Sequence, residues 1–289
     1  MLSNKTSDLG KYLYITPVSI FIIIITIFPL IYSIYISTQD YSLITQTSNY
    51  IGTTNFEESL EDKRFLESLI TTLKIGIPSL FIETILGLSL ALLLSSIKTQ
   101  RGIITSLLAT PVLIAPSAVA MSFKMLYTPQ WGPINHILGM PFGGILEIDW
   151  LGNPQIAPIA VIIADVWQWS PFVMLIVLAG ILSIPTDIYE ASRIDGASGW
   201  NSFKYITLPL IRFPLTVAVI LRAIDLFKLF DLPFVMSQGG PAGSTETVTI
   251  YTYLVGIRFF RVGYGAALSI MLLLLVIIVS RFLVKYTNK

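Results

Sequence analysis

The sequence has no cysteine and a single histidine, His136, among its 289 residues. The absence of cysteine excludes disulfides, thiolate metal sites and thiol catalysis, and one histidine argues against an all-protein zinc site. Charged residues make up only 12% of the chain, against about 25% in soluble domains. A net charge of +1 argues against a nucleic-acid surface. With 54% hydrophobic residues, the composition indicates a membrane-embedded chain without room for a large soluble catalytic domain.

Motifs for nucleotide binding and hydrolysis are also absent. The only Gly-Lys pair, Gly10 and Lys11, precedes Tyr12 and lacks the earlier glycine of a phosphate-binding loop. One histidine cannot form H-E-x-x-H, and no G-x-S-x-G turn occurs. The sequence therefore predicts a non-catalytic chain that binds no ATP by a phosphate-binding loop.

Apolar runs long enough to cross a membrane occupy most of the chain. Six are predicted, at residues 12–37, 66–96, 103–127, 156–183, 208–236 and 251–284. Prolines inside these runs predict kinks, because neighbouring helices can satisfy the freed carbonyls. They are Pro17, Pro29, Pro78, Pro111, Pro116 and Pro171. We expect one all-α transmembrane domain over residues 1–289, with six kinked helices.

Basic residues are distributed unequally between the two sides of these spans. If the N-terminus lies inside, the cytoplasmic segments hold Lys5, Lys11, Lys98, Arg101, Arg193, Lys204, Arg212, Arg281, Lys285 and Lys289. The outer segments then hold Lys63, Arg64, Arg258 and Arg261. This bias predicts cytoplasmic termini and a multi-pass protein with outer loops at about 38–65, 128–155 and 237–250.

The first outer segment, residues 40–67, is acidic. Its cluster comprises Glu57, Glu58, Glu61 and Asp62. Such a cluster is typical of a solvated loop, and the alternative is a docking rim for an external partner.

The segment at 184–209 lies between the fourth and fifth spans on the predicted cytoplasmic side. Asp187 and Glu190 have the spacing of a capping box, and Pro185 stops the preceding span. A short helix is expected to run to Asp195, and the glycines that follow separate it from a second helix beginning at Trp200. The pattern predicts a helix-turn-helix at the membrane surface.

The spacing Glu190-Ala191-Ser192, then Gly196, then the ITLP sequence at 206–209 resembles the EAA loop of ABC importer permeases. That pattern is E-A-A-x3-G-x9-I-x-L-P, and the departure is Ser192 at the second alanine. The resemblance implies that this loop is the coupling helix that enters a cleft of a separate ATPase subunit. The coupling residues it implies are Glu190, Ala191, Ser192, Asp195, Gly196, Ile206, Leu208 and Pro209.

Further short sequences resemble the carbohydrate branch of these permeases, in particular the maltose-permease F-like half of a heterodimer. They are FPLIYS at 28–33, WGPIN at 131–135, FD at 230–231, QGGP at 238–241, STET at 244–247 and GYGAA at 263–267. The resemblance implies the type I importer architecture in a bacterial or archaeal cytoplasmic membrane. It also implies three kinds of partner: a second permease, two cytoplasmic ATPase subunits that bind ATP and Mg, and an extracytoplasmic solute-binding protein.

Charged residues inside membrane spans are costly and are candidates for a transport pathway. Eight are predicted there: Lys74, Glu83, Lys124, Asp165, Arg222, Asp225, Lys228 and Asp231. The last four recur every three residues with alternating sign, so neighbours can pair along one helix. The row is either a structural ladder or, with Phe227 and Phe230, part of a cavity wall.

The fourth span adds Asp165, Trp167, Gln168 and Trp169. This mixture of rings and polar groups is typical of sugar sites, although tryptophan also gathers at membrane interfaces. The predicted pathway residues are Asp165, Trp167, Gln168, Trp169, Arg222, Asp225, Phe227, Lys228 and Asp231. An outer loop with His136, Gly139, Gly143 and Gly144 either touches the binding protein or is solvated.

The other transport class is an ion-coupled secondary transporter, in which the intramembrane acids would hold the ion. It predicts an inverted repeat, and the two halves of the sequence show no convincing similarity. A membrane scaffold without transport would not need eight intramembrane charges.

Overall fold

The computed structural model describes the backbone of residues 5–144 and 146–287 and the side chains of residues 14–144 and 146–285. Of the basic residues used for orientation, Lys289 lies outside the described residues, as do the side chains of Lys5 and Lys11. The described chain is helical apart from one short antiparallel hairpin.

The elements of the first half of the chain follow one another in a simple order. They are α1 (Lys5–Ser37), β1 (Gln39–Tyr41), β2 (Ser48–Tyr50), α2 (Thr54–Glu61), α3 (Lys63–Ser96), α4 (Arg101–Leu113), α5 (Pro116–Leu126), α6 (Pro133–Gly139), a 3-10 turn (Met140–Phe142) and α7 (Ala157–Leu182).

The second half contains shorter helices, two of which continue into π-helical turns. They are α8 (Thr186–Ile194), α9 (Gly199–Ser202), a π turn (Phe203–Thr207), α10 (Leu208–Leu210), α11 (Arg212–Leu226), α12 (Asp231–Ser237), α13 (Val248–Tyr253), a second π turn (Leu254–Arg258) and α14 (Val262–Thr287).

Among the described residues, four single helices are long and apolar enough to cross a membrane, and two bent pairs raise the number to six. The single helices are α1, α3, α7 and α14. The first pair, α4 and α5, bends by 91° just before Pro116. The second pair joins residues 199–210 to α11 with a bend of 65°. A count of up to six spans, one of them bent just before a proline, agrees with the expectation, although the second pair includes residues 199–210, which the sequence assigned to the cytoplasmic loop.

Two predicted runs differ from the helices that form. Residues 208–236 are not one helix, because α11 ends at Leu226 and α12 begins at Asp231. Residues 251–284 contain a break between Arg258 and Val262, so α14 alone forms the last span. Both breaks lie inside longer apolar runs and contain a charged residue, Lys228 in the first and Arg261 in the second, so the length of the apolar run alone does not locate them.

Among the described residues, one compact unit combines residues 5–62 with residues 252–274. Within it, Asn55 is buried and its amide donates to the carbonyls of Ser37 and Gln39, which fixes α2 against the start of the hairpin. Two residues of the acidic cluster have partners in this unit. Glu58 pairs with Arg261 at 2.8 Å, and Asp62 accepts from the Tyr264 hydroxyl at 2.7 Å.

The other unit combines the described residues of 63–251 with residues 275–287, and α3 packs along α7 at its centre. The two helices approach closely at Gly87, where an added Cβ would lie 2.6 Å from Cβ of Val173. Two apolar clusters fill this unit. One gathers α5 and α12 around Ile75, and the other gathers α11 around Ala91. Along α3 and α7, the residues between these clusters are the ones that carry buried charge.

Candidate functional site

A buried ion cluster lies between the two apolar clusters. The guanidinium of Arg222, on α11, donates from Nε to Glu83 Oε2 at 2.7 Å and from Nη2 to Glu83 Oε1 at 2.8 Å. The same Nη2 also donates to Oδ2 of Asp165, on α7, at 3.0 Å. The ring of Trp169 lies 4.8 Å from the guanidinium carbon. Three helices are thus joined by one guanidinium.

The cluster is closed to solvent. The side chains of Glu83 and Asp165 have no exposed surface, and 3% of the Arg222 side chain is exposed. Because an unpaired charge is very costly at this depth, the bidentate geometry is what allows the three groups to be buried together. Glu83 was counted among the intramembrane charges but not among the predicted pathway residues. The available signal is that Glu83 is the one charged residue in the apolar stretch 75–96 of α3, because such a residue needs a partner.

The charged row expected along the fifth span does not form as a ladder. Arg222 binds residues of two other helices, and α11 ends four residues later. Lys228 therefore lies in the break after α11, and its Nζ is 4.0 Å from Asp225 Oδ1. Both of those side chains are about half exposed, at 63% and 48%. One neighbouring pair, Asp225 and Lys228, therefore forms, but the row as a whole does not, because Arg222 binds other helices and α11 ends within the row.

A polar cavity of about 230 Å³ adjoins the ion cluster. Six of the predicted pathway residues line it: Asp165, Trp169, Arg222, Asp225, Lys228 and Asp231. Phe230, which the sequence grouped with this row, lines it as well. Residues that are 66 positions apart in sequence thus share one wall because α7 packs against α11 and α12.

Three predicted pathway residues lie elsewhere. Trp167 packs edge-on against Phe123, with ring centroids 5.5 Å apart, and lines an apolar cavity of about 430 Å³. Phe227 lines a different apolar cavity. Gln168 is buried and donates to the carbonyl of Ile114 at 3.0 Å, at the bend between α4 and α5. Successive residues of a helix point in different directions, so α7 presents only part of this group to the polar cavity.

A helical hairpin, formed by α8 and residues 199–210, contains the segment that resembles the EAA loop. Ser192 is buried and lies 3.3 Å from the Ser202 hydroxyl, while the Tyr189 hydroxyl lies 3.1 Å from that of Thr207. Ser198 caps α9 by accepting from the backbone N–H of Asn201. Hydrogen bonds between its two arms therefore hold this hairpin together.

The start of the hairpin differs from the expected capping box. Pro185 occupies the N-cap position, and Asp187 lies in the first turn without capping it. Asp187 still interacts favourably with the helix dipole there. The end of α8 agrees with the expectation, because Ile194 is its last residue and Gly196 follows with φ of +75°.

The predicted coupling residues fall into two groups by exposure. Five are exposed at the tip or arms of the hairpin: Glu190, Ala191, Asp195, Gly196 and Pro209. Ser192 is buried, and Ile206 and Leu208 are half-buried. Two large apolar residues near the tip are strongly exposed, Ile194 at 86% and Trp200 at 68%. A rigid hairpin with exposed apolar side chains has the features of a docking surface.

The outer motifs are held by polar contacts. Asn135 is buried, donates to the carbonyls of Pro129 and Ile148, and accepts from the Trp150 indole at 2.7 Å. His136 beside it is exposed, as are Gly143 and Gly144. Glu246 of the STET sequence binds Arg64 through two hydrogen bonds of 2.8 Å. These residues order the loops that carry them.

The chain is similar to known proteins in both sequence and fold. A family described as the inner membrane component of binding-protein-dependent transport systems matches residues 63–288. The chain belongs to this family. A trehalose/maltose transport system permease protein of Thermococcus litoralis is 34% identical over 280 residues, covering 96% of this chain and 92% of the relative. A sulfoquinovosyl glycerol transport system permease protein of Agrobacterium fabrum is 31% identical, covering 92% and 87%.

Solved structures agree on the fold of this inner membrane component. A bacterial ABC transporter involved in the import of the acidic polysaccharide alginate matches with a TM-score of 0.85 at 21% identity, covering 98% of this chain and 96% of that one. The resemblance drawn from the EAA-like segment is confirmed, and so is the all-α importer-permease fold. The chain is a multi-pass membrane permease.

Proposed function

We propose that this permease is one of two transmembrane subunits of an ATP-driven importer for a sugar or a related polyol or glycoside. Its relatives support the class of substrate, because those at 30% identity or more include permeases named for trehalose/maltose, sulfoquinovosyl glycerol and starch degradation products. A second permease would complete the pathway, and an extracytoplasmic binding protein would deliver the substrate.

The observation that carries this proposal is the rigid hairpin with an exposed apolar tip. Ile194 and Trp200 would enter a cleft of the ATPase, with Glu190 as a polar contact. Closure of the ATPase dimer would then move the hairpin as one body, because its arms are hydrogen-bonded to each other. The same chain continues through the fully buried Ile211 into α11, which carries Arg222. Movement at the tip would therefore reach the ion cluster.

ATP hydrolysis belongs to the partner subunits in this proposal. This chain contains no phosphate-binding loop in its sequence, so ATP and Mg would be held by the two ATPase subunits. The permease would bind no cofactor and would catalyse no covalent step. Its contribution is a switch between two global states that ligand binding biases.

The polar cavity beside the ion cluster is the proposed sugar path through this subunit. Phe230 supplies an aromatic face, and Asp225 and Lys228 offer hydrogen-bonding groups that are not consumed by buried partners. Sugars combine apolar ring faces with hydroxyl groups, so they suit a wall of this composition. Trp167 and Phe227 line other cavities and remain predicted pathway residues only.

Reconstitution in proteoliposomes tests the coupling role. We expect uptake of radiolabelled maltose or trehalose to require ATP and the ATPase, and Ile194→Asp to abolish both uptake and ATPase co-purification. Ile44→Asp is the matched control, because Ile44 is also strongly exposed, at 73%, but lies far from the hairpin in sequence. Equal loss in both variants would contradict a docking role for the hairpin.

The same assay separates the other transport class. An ion-coupled secondary transporter would accumulate sugar on a proton or sodium gradient without the ATPase and would be unaffected by Ile194→Asp. For the cavity, we expect Asp225→Asn to raise the KM for uptake while the assembled complex is recovered in normal yield. An unchanged KM would contradict a role for Asp225 in the proposed sugar path.

A further inference from the structure

The ion cluster contains two carboxylates and only one cation. Glu83 and Asp165 both accept from the same nitrogen, Nη2 of Arg222, so the two carboxylates are immediate neighbours. None of the three side chains has more than 3% of its surface exposed. With both acids ionised, the cluster would hold an uncompensated negative charge in the membrane interior, which is a costly arrangement.

Further charged residues lie on or next to the elements that pack against α7: Lys63, Arg64, Glu67 and Lys74 on α3, Arg101 on α4, Lys124 on α5, Arg212 and Asp225 on α11, Lys228 just after α11, and Asp231 on α12. Of the cations, Lys228 is mostly exposed and lies nearest to Asp225, and Lys124 Nζ lies 3.4 Å from the carbonyl of Val235. Arg101 is the first residue of α4, at the opposite end of that helix from the bend. Within the described residues, Arg222 is the single cation that contacts the two buried acids.

Two buried oxygens one helical turn apart on α7 lack hydrogen-bond partners among the described residues. They are Oδ1 of Asp165 and Oε1 of Gln168, and no water-sized space adjoins either atom. The orientation of the Gln168 amide is fixed, because its nitrogen donates to the carbonyl of Ile114, which can only accept. Gln168 thus presents an unused acceptor on the helix face that carries Asp165.

We propose that the buried pair Glu83 and Asp165 is a proton-binding site, which holds one proton for the two carboxylates together. Both acids keep their contacts to Arg222 in this state, the bidentate one to Glu83 and the single one to Asp165 Oδ2. The cluster as a whole then becomes neutral, and the unpartnered Asp165 Oδ1 is an oxygen that the proton can occupy.

A proton is the occupant that the geometry admits. Water, a substrate hydroxyl or a metal ion needs space beside Asp165 Oδ1, and none adjoins it. Within the described residues, no group of three or more acidic or histidine side chains could hold a metal ion. The Asp165 side chain has no surface exposed to the neighbouring polar cavity in this conformation, so the proton exchanges only when the helices move.

Infrared spectroscopy of the purified, assembled transporter at pH 7 tests the site directly. We expect the C=O stretching band of a protonated carboxylic acid, shifted in D2O, and its loss in Asp165→Asn. Glu83→Gln should lose the band as well, because Asp165 must then ionise to balance Arg222. Asp225→Asn is the matched control and should retain the band, since Asp225 is half exposed.

Two results would overturn the proposal. One is the absence of any protonated-acid band in the unmodified protein, a measurement that does not depend on a variant folding. The other is a band that survives both Asp165→Asn and Glu83→Gln. None of these readouts involves sugar uptake, so they are independent of the proposed substrate.

Thermal unfolding at different pH values gives a second measurement. A proton held only in the folded state stabilises that state at low pH, and its contribution is lost as the pH rises and the pair ionises. We expect the melting temperature of the unmodified complex to fall with rising pH more steeply than that of Asp165→Asn, in which Glu83 and Arg222 remain balanced. Identical pH dependence in the two proteins would contradict the proposal.

Discussion

The guanidinium of Arg222 and the carboxylate of Glu83 form two parallel hydrogen bonds, of 2.7 and 2.8 Å, across the interface between α11 and α3. Removing the cation leaves buried carboxylates without a partner. We expect Arg222→Met to lower the free energy of unfolding by about 3–5 kcal/mol, measured by denaturant titration in detergent. Lys228→Met, at a mostly exposed cation, should change it by less than about 1 kcal/mol. Similar losses in both would contradict a structural role for the buried pair.

The close approach of α3 and α7 at Gly87 leaves no room for a side chain. A Cβ there would lie 2.6 Å from Cβ of Val173 and 2.9 Å from the backbone nitrogen of Met174. We expect Gly87→Ala to destabilise the protein by about 1–3 kcal/mol through overpacking. Gly102→Ala, where no atom lies within 4 Å, should be neutral or slightly stabilising in the same unfolding experiment.

Val173→Ala provides a further check on Gly87. Its combination with Gly87→Ala should recover a small part of the stability lost in the single glycine variant, because Cγ1 of Val173, 2.8 Å from the added Cβ, is removed. The Cβ of residue 173 and the backbone nitrogen of Met174 stay in place, so the recovery should be incomplete. Strictly additive effects in this double-mutant cycle would argue against direct contact.

Gly196 ends the first arm of the hairpin in the left-handed region, with φ of +75°. An L side chain there costs about 1–2 kcal/mol even though no atom lies within 4 Å of the added Cβ. We expect Gly196→Ala to reduce stability and ATP-dependent uptake, and Gly196→Asn to do so less, because asparagine tolerates this conformation. Gly199→Ala is the matched control, since its surroundings are equally open and its φ is not positive. Equal effects at both glycines would exclude backbone strain as the cause.

Thr72 links α3 to the start of α13. Its hydroxyl accepts from the backbone N–H of Val248 at 2.9 Å and donates to the carbonyl of Ser68 at 2.7 Å. Thr72→Val removes both of these hydrogen bonds, so we expect a loss of about 0.5–1.5 kcal/mol in the free energy of unfolding. Thr84→Val removes only a bond to the carbonyl four residues earlier and should cost much less. The reverse order would contradict this assignment.

The sequence predicts part of the candidate site. What makes a site residue predictable, or prevents its prediction, differs from residue to residue. Asp165 and Arg222 were predictable because charge inside an apolar run requires a function or a partner. Glu83 belonged to the same class, yet its role depends on a contact 139 residues away in sequence, which no local pattern contains. Trp167 was grouped with Trp169 by adjacency, but consecutive helical positions face different neighbours.

The helical hairpin formed by α8 and residues 199–210 was likewise predictable only in part. Its spacing of glutamate, small residues, glycine and proline was sufficient to identify the family, because each of those residues acts through local geometry. The buried position of Ser192 and its approach to Ser202 depend on how α8 folds back on α9. A change that looked neutral by size alone therefore takes part in a contact between the two arms.

The sequence by itself determined the membrane location, the six apolar segments and the family, since hydropathy and short-range spacing are properties of the chain. Tertiary structure alone decided which charges are paired, where the fifth span breaks, and which side chains share a cavity. The physical reason is that a buried charge takes whichever partner the packing of distant helices supplies. The scarcity of charged residues is thus informative twice, first by placing the chain in a membrane and then by leaving Arg222 as the one cation for two buried acids within the described residues.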